Sequence, residues 1–251
     1  LEYIDSLIIE GNNETADSLL SQITVNNLKN NGDKAFYYLM KTQMDITLSH
    51  PIPSDSLITF SQEYYERTGD NKKLARAYYY RGAYYYTVNR VEDAIMFIKK
   101  AEYIDKKHET PWLRSLIYCN LSFLNAIAGA NRTALDYAQK TLAYAVKHDN
   151  ISLRCFAYNC IASSYEGMKM MDSALAYIKK IEPYLVKVHD KEERAGYMTN
   201  IGYAYYENRL YHEADTLLRQ AAMLYQAPMI NVNLAKNCYM LGKDHEADSL
   251  V

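Results

Sequence analysis

Glycine and proline are scarce in this 251-residue chain, with nine and five residues respectively, less than half of an average combined usage of roughly 12%. So few chain punctuators cannot supply the many tight turns of an all-β fold, and the shortage suits long helices joined by short connections. Long apolar runs are also missing. The longest uncharged apolar stretches fall far short of the roughly 20 residues that cross a bilayer, so no membrane span is expected in this region. No basic segment followed by an apolar core opens the chain in the manner of a secretory signal. Charge of one sign is not in excess: 28 Lys and Arg stand against 30 Asp and Glu, a formal net charge of −2. Such a balance gives no bulk field for a polyanion, and direct nucleic-acid binding by this region is not expected. The four cysteines, Cys119, Cys155, Cys160 and Cys238, are too few and too irregular for a disulfide scaffold or a paired zinc site. They read as small buried hydrophobes and leave the compartment undecided. A chain that opens on Leu1 rather than Met reads as part of a longer protein.

What is abundant is tyrosine, 26 residues, and it is arranged periodically. Alanines stand at Ala94, Ala134, Ala174 and Ala214, tyrosines at Tyr38, Tyr78, Tyr118 and Tyr158, and small residues at Thr42, Gly82, Ser122, Ala162 and Gly202, each series at a spacing of 40. Three residue classes held in register over four periods indicate an internal repeat. Each repeat reads as two helices. In residues 72–106, Leu74, Tyr78, Tyr85 and Val88 fall at helical spacing, Asn89-Arg90 marks a turn, and Val91, Ala94, Ile95, Ile98, Ala101 and Ile104 form a second apolar stripe. Pro111 opens the next helix at a position where its missing N–H costs nothing, and Asn131 and Asp149-Asn150 mark further turns. The small residue of each first helix is a packing notch that admits the alanine of the second. Pro183, inside a second helix, removes a backbone bond and clashes with the preceding turn, so the helix begun near Asp172 is expected to stop or kink there.

Catalytic signatures are absent. No G-x-G-x-x-G, G-K-S/T, G-x-S-x-G or H-E-x-x-H occurs. His212-Glu213 and His245-Glu246 each lack the second histidine of a zinc site, and His50, His108, His148 and His189 fall near helix ends, where a cation answers the dipole. No enzyme activity, metal or cofactor is expected. Lys99-Lys100, Lys140, Lys179-Lys180 and Arg219 repeat on second helices and read as a solvated outer face rather than a phosphate-tracking stripe. Triplets such as Asp5-Ser6-Leu7, Asp17-Ser18-Leu19, Asp55-Ser56-Leu57, Asp172-Ser173-Ala174, Asp215-Thr216-Leu217 and Asp248-Ser249-Leu250 read as first-turn residues of helices. Similar triplets carry O-linked sugars in some exported Gram-negative proteins, which tilts the expected location towards the periplasm, with the cytoplasm as the alternative.

The pattern Tyr78-x-x-Arg81-Gly82-x-x-Tyr85 followed by Ala94, Ile98 and Ala101 resembles the tetratricopeptide repeat (TPR). Ile161-Ala162-x-x-Tyr165 with Ala174 and Ile178 resembles it equally, as does Ile201-Gly202-x-x-Tyr205 with Ala214, Leu218 and Ala221. Leu121-Ser122-x-x-Asn125 with Ala134 departs at Asn125, residues 35–74 form a degenerate copy marked by Thr42, Asp45 and Ser54, and Leu234-Ala235 with Ala247 is a last copy. The resemblance implies an all-α, right-handed α-α superhelical solenoid of about 13 helices forming one domain over residues 1–251. Its repeats fall at about 1–34 (partial), 35–74, 75–114, 115–154, 155–194, 195–227 and 228–251 (partial). Such a solenoid buries its faces by stacking, and the stripe still running at Asp248-Ser249-Leu250-Val251 is expected to be covered by more chain or by a partner.

The resemblance also implies that the first helices line a concave groove for a protein or peptide. By repeat position, Tyr79, Tyr80, Tyr86, Asn120, Asn159, Asn200, Tyr203, Tyr206, Asn233 and Tyr239 face it. Of the basic residues that relatives use to hold a peptide carboxylate, Arg76 alone is present. The asparagines resemble instead a ladder that holds an extended backbone, since an amide side chain offers both donor and acceptor. The expected function is thus a peptide- or protein-binding scaffold, in its finer form the sensing region of a bacterial membrane-anchored transcriptional regulator, because similar long repeats occur in such proteins. The alternative is a structural solenoid that self-associates, as in a homodimer, or spaces other domains.

Overall fold

Asn30, Asp70, Asn150 and Asp190 each accept a hydrogen bond from the backbone N–H three residues on and so begin a helix. These N-caps, with Thr110 ahead of Pro111 between them, form a ladder with the spacing of the repeat. A second ladder ends the same helices. Ser49, Asn89, Gly129, Lys169 and Arg209 all have positive φ, and the residue after four of them returns its N–H five residues back, as in His50 to Asp45 and Arg90 to Tyr85. This is a Schellman-type stop in which four of the five left-handed residues are not glycine, which is how the chain turns so often with so little of it.

The protein was analysed as a computed structural model, which describes residues 1–108 and 110–250; Val251, the last of the terminal residues considered above, lies outside the described residues. The described residues form fourteen α-helices and no strand, and within each unit successive helices pack antiparallel in the TPR-like manner. They divide into two compact units, Leu1–Ala128 and Gly129–Val251. The first contains α1 (Glu2–Ile9), α2 (Asn13–Ser21), α3 (Asn31–Thr47), α4 (Ser56–Thr68), α5 (Asn71–Thr87), α6 (Val91–His108) and α7 (Pro111–Ile127). The second contains α8 (Asn131–Lys147), α9 (Ile151–Gly167), α10 (Met171–Ile178), a 3-10 segment (Lys179–Lys187), α11 (Lys191–Glu207), α12 (Tyr211–Leu224), α13 (Pro228–Met240) and α14 (Asp244–Leu250).

The expected repeat starts at 35, 75, 115, 155 and 195 all lie inside first helices, because the N-caps stand earlier than the small-residue register alone places them. Asn131 likewise belongs to α8 rather than to a turn.

The packing notch is borne out. A Cβ at Gly82 would lie 2.9 Å from the Ala94 carbonyl oxygen and 2.6 Å from Ile98 Cγ1, so α6 rests on bare backbone at that point. Thr42, Ser122 and Ala162, the other small residues of the series, are buried. In the degenerate copy, Ser54 is exposed and precedes α4, and the packing is carried by Ile58 and by Ser61, whose hydroxyl donates to the Ala35 carbonyl at 2.8 Å. The core of the first unit gathers Ile4, Leu7, Ala16, Leu20, Phe36, Met40 and Met44 from α1, α2 and α3. That of the second gathers Ile181, Leu185, Ile201, Leu218, Leu234 and Ala247 among others. Each such large side chain contributes about 1.5–3 kcal/mol by leaving water. Three of the cysteines are buried within these units, as expected.

Pro183 acts as expected. The α-helix begun at Met171 ends at Ile178 and continues as a 3-10 segment with Pro183 inside it, because proline cannot donate to the fourth residue back and its ring crowds that carbonyl. The Asp-Ser/Thr triplets are only partly first-turn features. Asp5 and Asp172 lie in the first turns of α1 and α10, and Asp55 is the residue before α4, without a side-chain cap bond, but Asp17, Asp215 and Asp248 lie deeper in their helices and bind Lys41, Arg219 and Tyr239 respectively.

Candidate functional site

In the second unit, α9 and α11 are successive first helices, and α10 packs against both. The two first helices carry Asn159 and Asn200, one position out of register with each other, and Asn200 Nδ2 donates to Asn159 Oδ1 at 2.9 Å. The two amides line a cavity of about 140 Å³ together with Tyr203, Glu166, Glu207 and Asn208, over an apolar floor that includes Ala174 and Ile178. Seven residues, two helical turns, separate each asparagine from a glutamate on the same face: Asn159 from Glu166 and Asn200 from Glu207. The sequence contains this doubled Asn-x6-Glu in plain view, but a search by repeat position for amides and aromatics passes over the glutamates.

No basic side chain lines this cavity among the described residues. Burial, followed by the nearby Glu207 charge, raises the Glu166 carboxyl above its ordinary value. Burial and a hydrogen bond with Glu207 push the Tyr203 phenol up to about 12. The cavity thus holds uncompensated negative charge beside two amides whose remaining functions, Asn159 Nδ2 and Asn200 Oδ1, have no partner within the described chain. It can take a group that brings both cationic charge and hydrogen-bond donors.

Three of the sequence-predicted residues, Asn159, Asn200 and Tyr203, therefore meet at one place, and Tyr206 stacks on Tyr203 with ring centroids 6.4 Å apart. Asn233 and Tyr239 do not join them. Both are on α13, and the Tyr239 hydroxyl is turned to Asp248 of α14. In the first unit, Asn120 on α7 donates to the Tyr79 hydroxyl on α5 at 2.8 Å, and Tyr86, partly exposed, meets Phe123 edge to face. Tyr79 and Tyr80 are 5% and 4% exposed, which corrects their expected place on an open groove wall. They pack edge to face within the unit, and Tyr79 serves to hold Asn120.

Arg76 is engaged internally. Its Nε donates to Gln43 at 2.7 Å, its Nη1 to Asp5, and its guanidinium lies 5.4 Å from the Trp112 ring, so α1, α3, α5 and α7 converge on one side chain. The basic ladder is likewise used within the fold. Lys100 sits over Tyr78 and Phe97, Lys180 over Tyr158 and Tyr177, and Arg219 between Asp215 and Glu246. Asp17, Asp45 and His50 bring ligand atoms within 4.8 Å of one another. Lys41 Nζ lies 2.5 Å from Asp45 and 4.0 Å from Asp17, so an ammonium stands where a divalent ion would.

No protein-family model matches the chain. It is 26% identical over 213 residues to response regulator aspartate phosphatase E of Bacillus subtilis (strain 168), a match that covers 81% of this chain and 56% of that protein. The chain thus spans little more than half the length of that curated relative. Among solved structures, a Rap protein complexed with competence and sporulation factor superimposes with a TM-score of 0.78 at 18% identity, over 99% of this chain and 72% of that one. NprR in complex with its cognate peptide NprX does so with a TM-score of 0.69 at 17% identity, over 99% of this chain and 74% of that one. This is a TPR-like repeat protein. It resembles the bacterial Rap and NprR regulators, and that likeness lends no support to the expected tilt towards the periplasm. No helix among the described residues is long and apolar enough to cross a membrane.

Proposed function

We propose that this region of the TPR-like protein is a peptide-binding sensor that acts by binding rather than catalysis. In this reading Asn159 and Asn200 hold an extended peptide backbone, and Glu166 with Glu207 receives a basic side chain or terminal ammonium of the same peptide. The carrying observation is the doubled Asn–Glu arrangement around one cavity, with amide functions left unpaired and no cation in the lining. An amide matches a peptide unit without reading its side chain, and two carboxylates in a half-buried cavity gain most from a charged, hydrogen-bonded partner. The NprR–NprX complex supports the reading by likeness of fold. The region then serves as the sensing part of a larger regulator whose output lies in other parts of the protein. No membrane anchor or nucleic-acid contact is assigned to it.

The test is a library of short fluorescent peptides with one basic residue at each position in turn, measured by anisotropy against the intact chain. Saturable binding that depends on the basic residue and is lost in Glu166→Gln/Glu207→Gln supports the proposal. Absence of binding across the library, together with a concentration-stable dimer by light scattering, would favour a self-associating spacer instead.

A further inference from the structure

Met96, Lys100, Tyr103 and Lys107 follow one another along α6 at spacings of four, three and four residues and so share one face of the helix. Met96 is 43% and Tyr103 68% exposed, so a flexible apolar side chain and an aromatic ring both stand in water on this stripe. Beside them, Tyr78 of α5 and Lys99, Lys100, Tyr103 and Ile104 of α6 form an open cleft of about 460 Å³, wholly within the first unit. Its surface is mainly ring faces and lysine stems, with the ammonium groups at the rim.

The lysines of the stripe are placed but not neutralised. Lys100 Nζ lies 4.9 Å from the Phe97 ring centroid and 5.5 Å from that of Tyr78, and Lys107 Nζ lies 5.7 Å from that of Tyr103. A ring face steadies an ammonium without cancelling its charge, and neither lysine forms an ion pair among the described residues. The nearby carboxylates are already engaged. Glu102 lies between Lys99 at 3.1 Å and Lys106 at 3.8 Å, and Asp105 is buried against Arg114 at 2.7 Å. Glu66 of α4 accepts from the Tyr78 hydroxyl and, at 3.1 Å, from Gln62. Lys106 and Lys107 fall in the last turn of α6, whose dipole offsets about half a charge. Lys99, Lys100, Lys106 and Lys107, set against Glu102, Glu66 and that dipole, leave roughly one to two positive charges unanswered.

We infer that this face of α6 docks an acidic segment of a partner protein, with one apolar side chain seated against Tyr78 and Tyr103 and two carboxylates on Lys100 and Lys107. The two lysines are seven residues apart, about 10 Å along the helix, a span that carboxylates about three residues apart cover in an extended chain. An aromatic anchor inside a charged rim is how protein segments are held. A nucleic acid fits less well, because the chain's formal net charge is −2 and Lys140, the repeat equivalent of Lys100, is paired with Asp136 at 2.7 Å. A bilayer also fits less well, because Met96 and Tyr103 are too small an apolar stripe to insert. The surface shares no residue with the Asn159–Glu166 cavity and stands or falls independently of the function proposed for it.

Fluorescent octapeptides that carry one Phe and two Glu at every separation are titrated with the intact chain and followed by anisotropy. Peptides with Gln for Glu or Ala for Phe, duplex DNA and phosphatidylglycerol vesicles are the controls. Saturable binding is expected, tightest with the carboxylates about three residues apart and weaker as salt rises from about 50 to about 300 mM. Lys100→Gln with Lys107→Gln should weaken it about tenfold, and Tyr103→Ala about fivefold. Glu166→Gln with Glu207→Gln should leave it unchanged. Lys100, Tyr103 and Lys107 are exposed, so their variants should keep the parent's melting temperature to within a few degrees. Equal binding of the Gln peptides, parent-like binding by the double lysine variant, or no saturable binding at all would each overturn the inference. So would tighter retention on DNA or vesicles that depends on Lys100 and Lys107.

Discussion

Asn200 donates its Nδ2 hydrogen to Asn159 Oδ1 across α11 and α9, just as Asn120 donates to the Tyr79 hydroxyl across α7 and α5, and both pairs are 41 residues apart. Only the first pair is backed by carboxylates in a cavity, so the binding role should be confined to it. Asn200→Ala is expected to weaken peptide binding by about 1–3 kcal/mol, since a desolvated peptide group is left unpaired. Asn233→Ala, outside the cavity, should cost less than about 0.5 kcal/mol. Anisotropy titrations check both. Equal losses from the two variants, or a lowered melting temperature with binding intact, would remove the cavity as the site.

The Glu166 carboxyl makes a prediction for pH. Its folded-state pKa is raised by burial and by Glu207, so the folded protein binds the proton more tightly than the unfolded chain does. Stability from this group is therefore complete below the ordinary carboxylate value and is lost as pH rises through the raised one. Glu166→Gln should flatten that slope and give a higher melting temperature than the parent at neutral pH. Melting curves from about pH 4 to about pH 8 test this; parallel pH profiles for parent and variant would contradict it.

Much of this architecture is legible in the sequence because repeats impose redundancy. Gly82, Ser122, Ala162 and Gly202 meet the same steric need at the same register, so their identity as notches survives any single exception. The cap ladder from Asn30 to Asp190 is equally present in the sequence, and it sets the helix starts ahead of the boundaries that the small-residue register implies. The candidate site is less legible for a physical reason. Whether Tyr79 faces a ligand or a neighbouring ring depends on which rotamer the packing of Tyr80 allows, and helical position alone does not fix that. Nor does position show that Arg76 is claimed by Asp5, which belongs to a helix outside the clear repeats.

That buried pair is itself open to test. The Arg76 and Asp5 side chains are 5% and 15% exposed, and Nη2 of the arginine has no partner among the described residues. Asp5→Asn leaves a buried guanidinium uncompensated and should cost about 3–5 kcal/mol, whereas Asp5→Leu with Arg76→Met should recover most of that loss. Urea unfolding followed through Trp112, the chain's one indole and a neighbour of Arg76, reports both. A cost below about 1 kcal/mol for Asp5→Asn would show that the charge finds water instead.

The two glycine notches should differ. At Gly82 a new methyl group would meet the fixed Ala94 carbonyl oxygen at 2.9 Å as well as Ile98, so α5 and α6 must separate. At Gly202 the close contacts are the Leu218 Cγ and Cδ2 atoms at 2.8 and 3.0 Å, while the backbone oxygen of Ala214 is 3.6 Å away, so a change of leucine rotamer relieves the clash. Alanine improves helix propensity by about 1 kcal/mol at either site, and overpacking costs about 1–3 kcal/mol where the backbone must move. Gly82→Ala is therefore expected to destabilise the first unit by up to about 2 kcal/mol net, and Gly202→Ala to fall within about 0.5 kcal/mol of the parent. Hydrogen exchange resolved to α5, α6, α11 and α12 assigns each change to its own helix pair. Equal destabilisation at both sites would mean that the fit of second helix to notch is set by side chains throughout, and not by backbone contact at Gly82.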